Sequence, residues 1–131
     1  MIRWELRIEK PKMEGKIGRD YITFPFNFQL IKIEKTNRYR YGDDTPYCFD
    51  SIKVAFSKSL ISKLKSKIPD LDENILEKIA YNKLVNRIKE KIKKNEPIEF
   101  QPIYLEDDNL SELLNYDLNN IETKYGEFFE I

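Results

Sequence analysis

The chain has 131 residues, 40% apolar and 35% charged, with Lys plus Arg equal to Asp plus Glu at 23 each. That is enough chain to build one core, too apolar for a disordered polymer and too charged for a set of membrane spans. One cysteine and no histidine exclude an intramolecular disulfide, zinc sites built on Cys or His, and every catalytic arrangement that depends on imidazole.

The first element is clear. Ile2, Trp4, Leu6 and Ile8 alternate with Arg3, Glu5, Arg7 and Glu9, the two-residue period of a half-buried strand. Pro11, Gly15 and Gly18 punctuate a polar connection. Alternation resumes at Ile22 through Phe24, Phe26, Phe28 and Leu30, then slips by one residue to Ile31 and Ile33. A one-residue slip flips side chains to the other face, so a bulge is expected near Leu30 and Ile31. Pro25 has no N–H to donate and favours an edge position for the first half of this strand.

Residues 36–41 are read as a continuation of that ribbon, turning at residues 42–46 into a strand around residues 47–56. Ile52, Val54 and Phe56 support the strand, although Phe49, Ile52, Phe56, Leu60 and Leu64 would also fit a helix. Cys48, between Tyr47 and Phe49, is expected to be a small buried hydrophobe. Ser57 or Ser59 can cap a helix that runs to about Lys67, where Ile68 and Pro69 end it.

A longer helix follows, capped by Asp70 or Asp72. Glu73 lies in its first turn and Lys89, Lys91, Lys93 and Lys94 in its last turns, as the helix dipole prefers. Leu76, Ala80, Leu84, Ile88 and Ile92 recur every four residues, so the apolar stripe drifts by about 40° per step. Ile75 and Ile79 widen it early, Tyr81 and Val85 late. The two ends should therefore bury different faces, against a second element or a second subunit. Residues 97–106 are read as a last strand, with Pro102 at an edge or bulge. Leu110, Leu113, Leu114, Leu118 and Ile121 have helical spacing, with Asp107 or Asp108 as its cap. The chain then closes on Phe128, Phe129 and Ile131, an aromatic end that calls for burial. Together these elements predict an α+β fold in one domain over residues 1–131, a mainly antiparallel sheet of about four strands against two or three helices.

The zero net charge hides a division. Residues 1–95 carry 22 Lys and Arg against 13 acids, whereas residues 96–131 carry one Lys against ten. The acidic segment 107–131 is expected to dock on the basic body or on a second subunit. Arg38, Tyr39, Arg40 and Tyr41 interleave cations with rings, a pattern able to pair phosphates and stack on bases. Lys89, Lys91, Lys93 and Lys94, with Lys63, Lys65 and Lys67, could extend such a surface. The same Arg and Tyr side chains can equally line a hairpin arm.

Tyr41-Gly42-Asp43-Asp44 matches a tetrapeptide that holds magnesium in many RNA-dependent RNA polymerases, but its flanks are polar where those enzymes have apolar strands. It is read as a turn, which Gly and Asp favour. The four glycines at 15, 18, 42 and 126 form no phosphate-binding loop. Many Phe, Tyr, Ile, Asn and Lys beside only four Gly and six Pro reflect an AT-rich coding sequence, frequent in small proteins of viruses and mobile elements.

The leading expectation is a non-catalytic interaction protein that self-associates or joins an assembly, with Phe128, Phe129 and Ile131 as candidate contacts. A nucleic-acid binder using Arg38 to Tyr41 and the lysine-rich helix ends is the alternative. A divalent-metal-dependent nuclease built on Asp43, Asp44 and Asp50 is remote. No cofactor and no membrane insertion are expected, and the polar start predicts a cytoplasmic location.

Overall fold

The computed structural model describes residues 3–9, 16–17, 19–33, 44–98, 101–116 and 125–130; the side chains of 16–17 and 44–50 lie outside that description. Strand β1 (Arg3–Ile8) buries Trp4, Leu6 and Ile8 and turns Arg3 and Arg7 to solvent. After the two-residue β2 (Lys16–Ile17), strand β3 (Tyr21–Ile33) buries Phe24, Phe26, Phe28 and Leu30 on the same face. Strand β4 (Asp44–Ser57) adds Ile52, Val54 and Phe56, so the strand reading of residues 47–56 holds over the helical one. Phe24 and Phe56 meet edge to face at 5.8 Å between ring centroids, a geometry that adds electrostatic attraction to the area they bury.

Helix α1 (Lys58–Lys67) begins where Ser57 Oγ accepts the Leu60 N–H at 3.0 Å. Helix α2 (Glu73–Lys93) begins where Asp72 accepts the Ile75 N–H at 2.9 Å. Each side chain satisfies an amide that the first helical turn cannot. Asn95, just past α2, takes φ 55°, the left-handed conformation in which helices commonly stop and which Asn tolerates. A short strand β5 (Ile103–Leu105), a 3₁₀ turn (Asp107–Asn109), helix α3 (Leu110–Leu114) and strand β6 (Gly126–Glu130) complete the chain.

The sheet order is β5-β4-β3-β1-β6, with β2 pairing beside β1 on β3. All pairs are antiparallel except β4 with β5, which α1 and α2 connect as a crossover. The fold is thus α+β, a mostly antiparallel sheet with three helices. Leu60, Leu64, Leu76, Ile79, Leu84, Ile88 and Leu113 close the core over one sheet face.

Four local expectations change. The register shift does lie at Leu30 and Ile31, but β3 stays in continuous register with β1 and the extra residue, Tyr47, is on β4. Ile31 and Ile33 therefore keep to the alternation of β3 and lie on the face opposite the helices. Of the strand read across residues 97–106, the described residues form strand at Ile103–Leu105, with Pro102 just before it. The cap of the last helical segment is not Asp107 or Asp108: the Glu106 N–H donates to Asn109 Oδ1 at 2.9 Å. The aromatic end, expected to seek burial, forms strand β6, which packs Phe129 against the core but leaves Phe128 exposed.

Pro25 pairs with Lys53 of β4 on one side. Asn27 O, two residues on, accepts the Glu9 N–H at 2.8 Å, so Pro25 turns its own backbone nitrogen the same way, between the ends of β2 and β1. The missing donor falls in a gap of the ladder, which is how a proline sits within a long strand.

The drift of the α2 stripe is resolved within the chain. Glu77, Tyr81 and Lys89, on one flank, meet the chain around β6: Tyr125 donates to Glu77 at 3.2 Å, its ring meets Tyr81 at 5.7 Å, and Lys89 pairs with Glu127 at 3.0 Å. Lys83, on the other flank, meets Glu112 of α3 and Tyr116 just beyond it.

Candidate interaction surface

Carboxylates from the acidic third of the chain are held by lysines of the helices. Lys63 reaches Asp107 at 2.9 Å, which Ser59 also binds at 3.0 Å. Lys83 pairs with Glu112, Lys89 with Glu127, and Lys91 with Glu96 at 3.0 Å. The Lys63 hydrogen bond holds the Asp107 carboxyl below its ordinary range, and that of Lys83 does the same to Glu112. Burial would lower the Lys83 ammonium, but its bonds to Glu112 and Tyr116 outweigh that and raise it. Tyr21 donates to Glu106, and that bond raises the Tyr21 phenol.

These pairs place the predicted lysine surface. Lys89, Lys91 and Lys94 each hold a carboxylate, of Glu127, Glu96 and Glu90 respectively, while Lys93 is exposed. Arg38, Tyr39, Arg40, Tyr41 and Asp43 lie outside the described residues, as do Ile131 and the side chains of Asp44 and Asp50. Among the described residues no group of three or more acids, histidines or cysteines could hold a metal ion. Nor is any helix among them long and apolar enough to cross a membrane.

Between α2, β5 and α3 lies an open polar cleft of about 320 Å³ lined by Lys83, Arg87, Glu90, Tyr104, Glu112 and Tyr116. Its charges largely answer one another, Lys83 against Glu112 and Glu90 against Lys94.

The sheet face away from the helices is different. Register places Ile31, Glu5 and Phe128 in one row across β3, β1 and β6, with Ile33, Arg3 and Glu130 in the next. Phe128 is 58% exposed. Arg3 lies over its ring, 4.7 Å from the centroid, a cation–π contact. Phe129, its neighbour, points to the helix face, half-buried under Lys89 at 5.4 Å. The two phenylalanines named from sequence thus separate: Phe129 is structural and Phe128 faces solvent. What sequence reading missed is this row, in which Ile31 is buried and only Phe128, at the edge, stands exposed; its one signal was the slip to Ile31 and Ile33.

Among the described residues β6 also ends the sheet. The Ile8 N–H donates to Tyr125 O at 2.9 Å, and backbone groups alternate along a strand. Glu127 and Phe129 therefore turn their amides and carbonyls to β1, while Gly126, Phe128 and Glu130 present theirs along the outer edge. An edge of this kind is a template for another strand. The chain matches no protein family, no curated protein and no solved structure.

Proposed function

We propose that this protein is a small interaction module that self-associates through the outer sheet face and edge at β6. The observation that carries this reading is Phe128, a large ring 58% exposed on the last strand of the sheet. Aromatic side chains of this kind anchor protein interfaces because they remove much apolar area from water at little cost in side-chain entropy. Arg3, stacked on the ring, supplies the second residue type that recurs at interface centres.

The experiment is sedimentation velocity over a range of concentrations, with Phe128→Glu as the comparison. The unaltered chain should pass from monomer to dimer as concentration rises, and the variant should stay monomeric. Arg3 is placed to receive the new carboxylate in the monomer, so loss of assembly would not reflect loss of folding. A monomer at every concentration for the unaltered chain would overturn the proposal.

A further inference from the structure

We propose that the second copy adds to the first as an antiparallel β6 pair centred on Phe128, joining the two sheets into one. This rests on the self-association reading and specifies its geometry.

The outer edge offers the amides and carbonyls of Gly126, Phe128 and Glu130. In an antiparallel pair, residues whose backbone groups face the partner exchange both bonds with the residue opposite. Centring on Phe128 sets it against the partner's Phe128, and sets Gly126 against the partner's Glu130 and the reverse. Every outward group of these three residues is then bonded, on both sides of the two-fold axis.

Side chains select this register over its neighbours. Centring on Glu127 would put two Glu127 carboxylates opposite one another, and centring on Glu130 would do the same with Glu130; like charges directly opposite destabilise a strand pair. Centring on Phe129 leaves the outward groups of Gly126 without a partner in β6. With Phe128 at the centre, Glu130 faces a glycine, the one residue of the strand with no side chain to oppose it. On the helix face, Glu127 stands opposite the partner's Phe129 and so meets no like charge across the pair. On the open face, the two Phe128 rings lie side by side, each beneath its own Arg3, and an aromatic cross-strand pair adds to the ladder. The same two acids that would repel a misaligned strand therefore act as register guards.

Amide hydrogen exchange of the full-length chain, read by NMR in dilute and concentrated solution, tests this. At concentrations where sedimentation finds the dimer, the amides of Gly126, Phe128 and Glu130 should slow by roughly tenfold or more relative to the dilute protein and to Phe128→Glu. The amides of Glu127 and Phe129, already bonded to β1, should keep their rates. If a dimer forms while the amides of Gly126, Phe128 and Glu130 exchange at monomer rates, this pairing is overturned and self-association stands. If no dimer forms, both are overturned.

Discussion

Lys89 on α2 sits 3.0 Å from Glu127 and 5.4 Å above the ring of Phe129, so a single ammonium fastens two alternate residues of the last strand, both on its inner face, to the helix layer. On the opposite side of that strand Phe128 is 58% exposed, with Arg3 over its ring. The inner face of β6 is therefore committed to the core, and its outer face and edge are available for contact.

That asymmetry should be visible in stability. Phe128→Ala should change the unfolding free energy by no more than about 0.5 kcal/mol, as exposed substitutions do. Phe26→Ala, which empties a fully buried site in the centre of the sheet, should cost about 3–5 kcal/mol. Urea unfolding followed by circular dichroism checks both. Equal losses would contradict the assignment of Phe128 to the surface.

Asp72→Ala should destabilise the fold by about 1 kcal/mol, because the Ile75 amide loses its acceptor at the start of α2. Asp72→Asn retains an acceptor oxygen and should lose much less. Thermal melts of the two variants side by side separate the cap from a general effect of charge.

Acid should loosen the contact between the acidic segment and the helices. Glu112 and Asp107 are held below their ordinary values of 4.5 and 3.8 by Lys83 and Lys63 respectively. A carboxylate with a depressed folded pKa binds protons more tightly when unfolded, so its stabilisation is complete above the unfolded value and is lost as pH falls through the folded one. Stability should thus be level from pH 7 down to about 5 and fall below the ordinary carboxylate values. Because both carboxylates and Lys63 are exposed, with only Lys83 largely covered, the change should be modest and should shrink in high salt. Glu112→Gln should flatten its share of the fall in a series of melts across pH.

The nucleic-acid reading has its own test. Deleting residues 107–131 would remove β6 and Leu113, which is fully buried, and so would test folding more than binding. Asp107→Asn, Glu112→Gln and Glu127→Gln combined leave the packing in place and free Lys63, Lys83 and Lys89 from their pairs. If these lysines serve a phosphate backbone, the triple variant should bind a labelled single-stranded oligonucleotide more tightly at low salt, and binding should weaken steeply as salt rises. No anisotropy change for either protein would remove this reading.

Alternation of Trp4, Leu6 and Ile8 and of Phe24, Phe26 and Phe28, caps narrowed to Ser57 or Ser59 and to Asp70 or Asp72, and the four-residue recurrence along α2 were legible in the residues alone. Each depends on neighbours within one or two turns or pleats, and local sterics and hydrogen bonding suffice to decide it. The α+β class followed from those elements. Phe128 and Phe129 were marked as contacts by their character, but their opposite fates were not readable without the strand that separates them. Arg38 to Tyr41, the most suggestive stretch for nucleic acid, lies outside the described residues.

Only the tertiary structure decided that the slip at Ile31 is absorbed by Tyr47 on the neighbouring strand, that β5 runs parallel to β4, and that Asp107, Glu112 and Glu127 return to lysines on the helices. These are pairings between residues far apart in the chain. A period of two records that side chains alternate, but it carries no information about which strand holds an extra residue or which face a partner will cover. Register and docking are set by the summed burial and charge of the whole assembly of elements, which is why the row of Ile31, Glu5 and Phe128 exists only once β1, β3 and β6 lie side by side.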